Sequence, residues 1–120
     1  MTIEFNGPEG LDLWRRALCE SVRRAGPDLS ARQMAILLTV YTSPAPHTVR
    51  GLAELLRISK PAVTRALDRL GMLGFARRKR DEADRRSVLV QRTVKGSVFL
   101  SEFAEIMAAA ARTNEPIGVS

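Results

Sequence analysis

Apolar residues return every three or four positions through most of this chain. Leu11, Trp14, Leu18 and Val22 fall on one stripe of a helix predicted over residues 10–25. Residues 1–9, with Gly7-Pro8, read as a loose arm ahead of it, and Gly26-Pro27 stops it. Ser30 and Gln33 have the spacing of a capping box, in which each side chain bonds the other's backbone amide, so a second helix opens there. Its inner stripe is predicted as Met34, Leu37, Leu38 and Tyr41. Pro44 and Pro46 cannot continue a helix because they lack the amide donor, and His47 after them reads as an exposed loop residue. Thr48 is a suitable N-cap for a short third helix with Leu52, Ala53, Leu55 and Leu56 as its core residues. Arg57-Ile58 makes a turn. Ser59 then caps a fourth helix, where Pro61 is tolerated in the first turn. Val63, Ala66, Leu67 and Leu70 face inward on it, which leaves Lys60, Thr64, Arg65, Asp68 and Arg69 on the other face. Gly71 and Gly74 weaken and end it.

Beyond Gly74 the period drops to two. Phe75–Arg80 and Ser87–Arg92 read as paired strands, with Val88 and Val90 pointing one way and Leu89 and Gln91 the other. Thr93 can cap a last helix running to about Arg112, whose stripe is Phe99, Phe103, Ile106 and Ala110, widened by Leu100 and Met107. Residues 114–118 should fray. The expected fold is mainly α with a small β-hairpin wing, a winged helix-turn-helix. One domain would span residues 1–120, with a lobe at 30–93 flanked by helices at 10–25 and 94–112.

Composition narrows the function. Apolar residues make up 45% of the 120, enough to build a core, so wholesale disorder is not expected. No apolar run approaches the roughly 20 residues of a membrane helix. The first residues lack the basic and apolar regions of a secretion signal, so the expected location is the cytoplasm. Cys19 is the only cysteine, which excludes an internal disulfide. One His and one Cys form no nucleophile motif, and there is no glycine-rich phosphate loop, so neither an enzyme nor a cofactor is expected. Asp81, Glu82 and Asp84 lack the glycine and terminal glutamate of a calcium loop, so no metal is expected either.

Charge changes the picture most. The net charge is +6, yet residues 57–95 alone carry +8 and the remainder −2. A field segregated in this way attracts and orients a polyanion. The helix has the width for a major groove, and an arginine-tipped loop has the reach for a narrow minor groove. Arg65 and Arg69, four apart, project from one side of the fourth helix; each can fork onto guanine or hold a phosphate. Ser59, Lys60 and Thr64 sit at the same helix's N-terminus, where free amides favour phosphate, although Ser59 also serves as cap. Thr48 and Arg50 open the third helix and can touch a phosphate or act only as cap and surface charge. Arg80 lies at the near end of the hairpin loop, and Asp84, Arg85 and Arg86 at its far end. Arg85 and Arg86 can each enter a narrow minor groove or hold a phosphate. Trp14 and Tyr41 suit core packing better than a ligand pocket.

Several pieces in order carry a family likeness: Thr48-Val49-Arg50-Gly51-Leu52-Ala53, Ile58-Ser59-Lys60-Pro61-Ala62-Val63-Thr64-Arg65, Leu67-Asp68-Arg69-Leu70, Asp84-Arg85-Arg86-Ser87-Val88-Leu89-Val90 and Thr93-Val94-Lys95-Gly96. Residues 30–100 resemble the multiple-antibiotic-resistance regulator (MarR) family. The resemblance implies a homodimeric transcription regulator that binds double-stranded DNA sequence-specifically, with residues 59–73 in the major groove and the wing, 77–91, in the minor groove. It implies a dimer base from the two flanking helices, with Leu11, Trp14, Leu18, Phe99, Phe103, Ile106 and Ala110 as its residues. It also implies a small-molecule effector, since many members bind aromatic or phenolic ligands. In relatives the wing Asp, here Asp84, braces the wing Arg, here Arg86, so the resemblance implies Arg86 as the minor-groove residue, Asp84 as its orienting carboxylate and Arg85 as a phosphate contact. Some relatives sense oxidants through an N-terminal-region cysteine, which Cys19 matches; its plain alternative is a small buried apolar residue. The competing function is a winged-helix interaction module whose basic face binds an acidic protein or RNA.

Overall fold

Capping side chains set where each helix begins. The computed structural model describes residues 6–112 and places five helices and three strands among them. Helix α1, Gly7–Arg23, starts earlier than expected. The Asn6 side chain accepts from the Glu9 amide at 2.8 Å, and Glu9 reaches back to the Asn6 amide, so Gly7-Pro8 is the first helical turn and not an arm. Pro8 is compatible because the amide it lacks would have no intrahelical partner there. Ala25, at φ 56°, turns the chain out of the helix just before Gly26-Pro27. The expected fraying of residues 114–118 lies outside the described residues.

Helix α2, Ala31–Thr42, opens on the anticipated box: Ser30 Oγ accepts from the Gln33 amide and Gln33 Oε1 from the Ser30 amide. Its buried residues are Ile36, Leu37 and Val40, whereas Leu38 is exposed and Met34 and Tyr41 are half-buried. Contacts with both α4 and the sheet rotate the buried arc away from the expected stripe. Strand β1, His47–Thr48, follows and was not expected; it adds to the hairpin through His47↔Val90 and Thr48↔Leu89.

Helix α3, Val49–Leu56, is capped by Thr48, whose Oγ1 accepts from the Gly51 amide at 2.9 Å. Leu52 and Ala53 are buried, but Leu55 is 61% exposed. At about 100° per residue, Leu55 lies some 60° outside the arc that spans Leu52, Leu56 and Ala53. Arg57 adopts the left-handed conformation, and the Ile58 amide donates to the Ala53 carbonyl, which closes the helix.

Helix α4, Lys60–Met72, begins at the Ser59 cap and buries Ala62, Val63, Ala66, Leu67 and Leu70. Gly74, at φ 77°, ends it. Strands β2, Ala76–Arg80, and β3, Val88–Arg92, pair antiparallel, giving the sheet order β1-β3-β2. The core beneath is Ile36, Leu37, Val40, Leu52, Val63, Leu67 and Leu70. Each such side chain withdrawn from water contributes about 1.5–3 kcal/mol.

Helix α5, Val94–Arg112, begins at Thr93, whose Oγ1 accepts from the Gly96 amide and donates to the Gly74 carbonyl. Tyr41 completes this junction. Its hydroxyl donates to the Phe75 carbonyl at 2.7 Å and accepts from the Thr93 amide at 2.8 Å. A Cβ on Gly96 would overlap both the Tyr41 hydroxyl and the Phe75 carbonyl. Gly96→Ala is therefore expected to cost about 1–3 kcal/mol, the range for overpacking a filled site. Urea denaturation checks it, and an unchanged midpoint would mean that the junction can open without loss.

The chain contacts divide into two compact units. One is Leu29–Phe99; the other takes in 6–28 and 100–112 of the described residues. The first extends past the lobe expected at 30–93, because Phe99 stacks on Phe75 with centroids 4.5 Å apart. In the second, Ala17, Ile106 and Ala110 form a small core with Leu13 and Met107, and Trp14 meets Phe103 edge-on at 6.3 Å. Asp12 is buried there and bonded by Arg15 and Arg16, each at 2.9 Å. The Arg15 hydrogen bond, assisted by the positive charge of Arg16, holds the Asp12 carboxyl below its usual range against the opposing effect of burial.

Candidate nucleic-acid interface

Three local structures converge on one polar basin within the Leu29–Phe99 unit. The N-terminus of α3 contributes Thr48, Val49 and Arg50; α4 contributes Lys60 and Thr64; the hairpin contributes Arg78, Asp84, Arg86, Ser87 and Val88. The basin encloses about 680 Å³. Four of its side chains are cationic and one is a carboxylate, so its field is positive. Thr48 accepts the Gly51 amide but keeps its own hydroxyl proton free to donate to an anion.

The hairpin loop is held by its own acids. The Asp81 amide donates to the Ser87 carbonyl at 3.0 Å, and the Ser87 amide to the Asp84 carbonyl at 2.9 Å. Asp81 and Asp84 each accept a backbone amide two residues on, from Ala83 at 2.9 Å and Arg86 at 3.1 Å. Such Asx turns shape a tight loop without a glycine. Asp84 thus fixes Arg86 through the backbone, not through its guanidinium. Arg85 and Arg86 are both exposed.

Of the residues expected from sequence, Thr48, Arg50, Lys60, Thr64, Asp84 and Arg86 share the basin. Ser59, Arg65, Arg69, Arg80 and Arg85 do not line it. Ser59 Oγ accepts from the Ala62 amide at 3.2 Å, the bond of a helix cap. Arg65 is exposed on α4, Arg69 is half-buried, and Arg80 is exposed where β2 enters the loop. Asp68 pairs with Arg78 at 2.7 Å. That bridge ties α4 to β2 across ten residues of chain. Arg78 is the charged basin residue that the sequence pattern had not singled out, and Val49, Ser87 and Val88 complete the lining. The two-residue period of β2 groups Arg78 with Arg80 on one face, which was the available signal.

The remaining sequence candidates lie elsewhere. Leu11, Trp14, Leu18 and Val22 are exposed along α1, at 73%, 42%, 41% and 71%. Phe103, Ile106 and Ala110 are buried, the last two in the core they share with α1, while Phe99 belongs to the other unit. Cys19 is half-buried beside Arg15, Arg16, Glu20, Arg23 and Arg24. Arg24 and then Arg23 donate to Glu20 and hold its carboxyl below the usual range. His47, expected to be exposed, is half-buried, and its Nε2 donates to the Ser43 carbonyl at 3.2 Å. No group of acidic, His or Cys side chains among the described residues could hold a metal ion, and no helix among them is long and apolar enough to cross a membrane.

Comparisons with known proteins point one way. The model of the MarR family matches residues 29–88, half of the chain. The HTH-type transcriptional regulator PecS of Dickeya dadantii (strain 3937) is 37% identical over 79 residues, covering 64% of this chain and 48% of PecS. The chain thus spans about half the length of the curated relative it matches. Transcriptional regulator Tm0710 from Thermotoga maritima aligns with a TM-score of 0.69 at 26% identity, over 83% of this chain and 68% of that one. A mutant MarR from E. coli, solved complexed with operator DNA, aligns at 0.63 and 30% identity, over 76% of this chain and 63% of that one.

Proposed function

We propose a function from a fixed premise: the chain belongs to the MarR family. It is a transcriptional regulator of the cytoplasm that binds double-stranded DNA sequence-specifically as a homodimer. Helix α4 enters the major groove, where Arg65 and Arg69 read bases or grip phosphate. Thr48, Arg50, Lys60 and Thr64 hold the backbone beside it. The hairpin reaches the adjacent minor groove with Arg86 inserted and Arg85 on a phosphate. The observation that carries this is the basin itself, in which α3, α4 and the wing present cations to one volume. The operator complex of the E. coli relative supports the same use.

Dimerisation draws support from α1. Leu11, Trp14, Leu18 and Val22 recur at spacings of three and four and stay exposed, and a continuous apolar stripe of that kind seeks a partner surface. Sedimentation should show a dimer at micromolar concentration. A monomer with and without DNA would refute that arrangement.

The direct test is binding to selected duplexes. Arg86→Ala is expected to weaken it by about 1–3 kcal/mol without unfolding the lobe, as for other groove contacts. Unchanged affinity would mean that the wing does not insert.

A further inference from the structure

One acid stands among the cations of α4. Asp68 is exposed on the outer face of that helix, the face that also carries Lys60, Thr64 and Arg65. A carboxylate turned towards phosphates repels them. What it contributes lies in what it holds. Arg78 Nη2 donates to Asp68 Oδ1 at 2.7 Å, with the two side chains 37% and 57% exposed. A pair as exposed as this adds little to global stability. Its position is more telling. Of the five residues of β2 only Ala76 is buried, while Arg77, Arg78, Lys79 and Arg80 are all exposed. The loop beyond is fixed only to itself, through Asp81, Asp84 and Ser87. Among the described residues, Asp68–Arg78 is the only hydrogen bond or salt bridge between residues 77–91 and a helix. It falls midway along β2, where the strand leaves the core.

We propose that Asp68 is a positioning residue: its bridge to Arg78 latches the hairpin to α4, so that the two elements engage their grooves together. The proposal rests on the DNA-binding reading above and adds to it the residue that couples its two halves. Once α4 is seated, the contact made by the wing is an intramolecular event, favoured when the tether holds it at the right span. A wing held in place beforehand also loses less freedom on insertion. The latch thus sharpens the choice of flanking sequence, because only a wing that enters the minor groove senses its width. The same carboxylate opposes DNA binding in general, so its two effects have opposite signs and can be separated.

Two measurements on the full chain test it, with Asp68→Asn as the variant. The first needs no DNA. In amide relaxation by nuclear magnetic resonance, the order parameters of residues 79–88 should fall from about 0.85, that of a rigid backbone, towards about 0.6. The second is anisotropy with two duplexes that share one selected binding sequence and differ only in the flanks under the wing, A·T-rich or G·C-rich. Preference for the A·T-rich flank should fall about three- to tenfold, as a wing that must be ordered on binding gains less from the narrow groove. Affinity for the G·C-rich duplex should hold or rise, because an opposing charge is gone. Asp68→Glu, which keeps the carboxylate, should retain the preference. Unchanged order parameters, an unchanged preference, or equal weakening on both duplexes would each overturn the latch while leaving DNA binding in place. A wild-type chain that binds neither duplex would overturn the DNA reading, and the latch with it.

Discussion

Raising monovalent salt from 50 to 200 mM is expected to weaken duplex DNA binding by about three orders of magnitude or more, as for a protein that neutralises roughly six to ten phosphates. The expectation follows from where the cations sit and what they are bound to. Within the lobe, the salt bridges include only Arg78, held by Asp68. Arg50, Lys60, Arg65, Arg85 and Arg86 are exposed and outside every salt bridge among the described residues. In the proposed homodimer two copies of this set would supply the number of contacts assumed. Each neutralised phosphate releases counterions, so the logarithm of affinity should fall linearly with that of salt, at a slope of about −0.9 per contact. Anisotropy of a labelled duplex across a salt series measures it. Arg85→Ala, which would remove the proposed phosphate contact from each copy of the proposed homodimer, should make the slope shallower by about two. A flat dependence would return the cationic face to the interaction module that the sequence also allowed.

Much of this candidate interface was legible because its parts are local. Ser30 with Gln33, Thr48 and Ser59 are caps, and a cap is a relation within three residues that spacing alone exposes. The inward face of α4 was equally legible, since its apolar residues repeat without a break. The errors have a common physical origin in surroundings that a local pattern does not encode. Leu38 and Leu55 are apolar yet exposed, because the partners of α2 and α3 cover a different arc of each helix. Strand β1 has two residues, too few for any period, and exists only because β3 is there to pair with it. The Asp68–Arg78 bridge joins a helix to a strand ten residues away, so neither charge announces the other. The Asn6 cap was missed for another reason. Gly7-Pro8 was weighed as a breaker, although proline at the start of a helix is compatible with its geometry.

Leu67→Ala is expected to destabilise the lobe by about 2–5 kcal/mol, the range for truncating a buried leucine. Leu67 is 1% exposed and lies between Val63 and Leu70 on the inner face of α4. That helix touches α2, α3 and β2 together. The space left by the lost side chain cannot close by moving one neighbour, because α4 is held from three sides, so the upper part of the range applies. The choice of probe matters. Trp14 is the only tryptophan and belongs to the other unit, so its fluorescence is not a direct report on the lobe. Far-ultraviolet circular dichroism in urea, or exchange of the amides of α4, follows the lobe directly. The midpoint should fall with little change in slope, since the surface exposed on unfolding is almost unaltered. Met72→Ala, on the same helix but 80% exposed, should change stability by less than about 0.5 kcal/mol. A small effect at Leu67 alongside an equal one at Met72 would mean that the inner face of α4 does not anchor that helix. The positions of Arg65 and Lys60 relative to the wing would then have no rigid support.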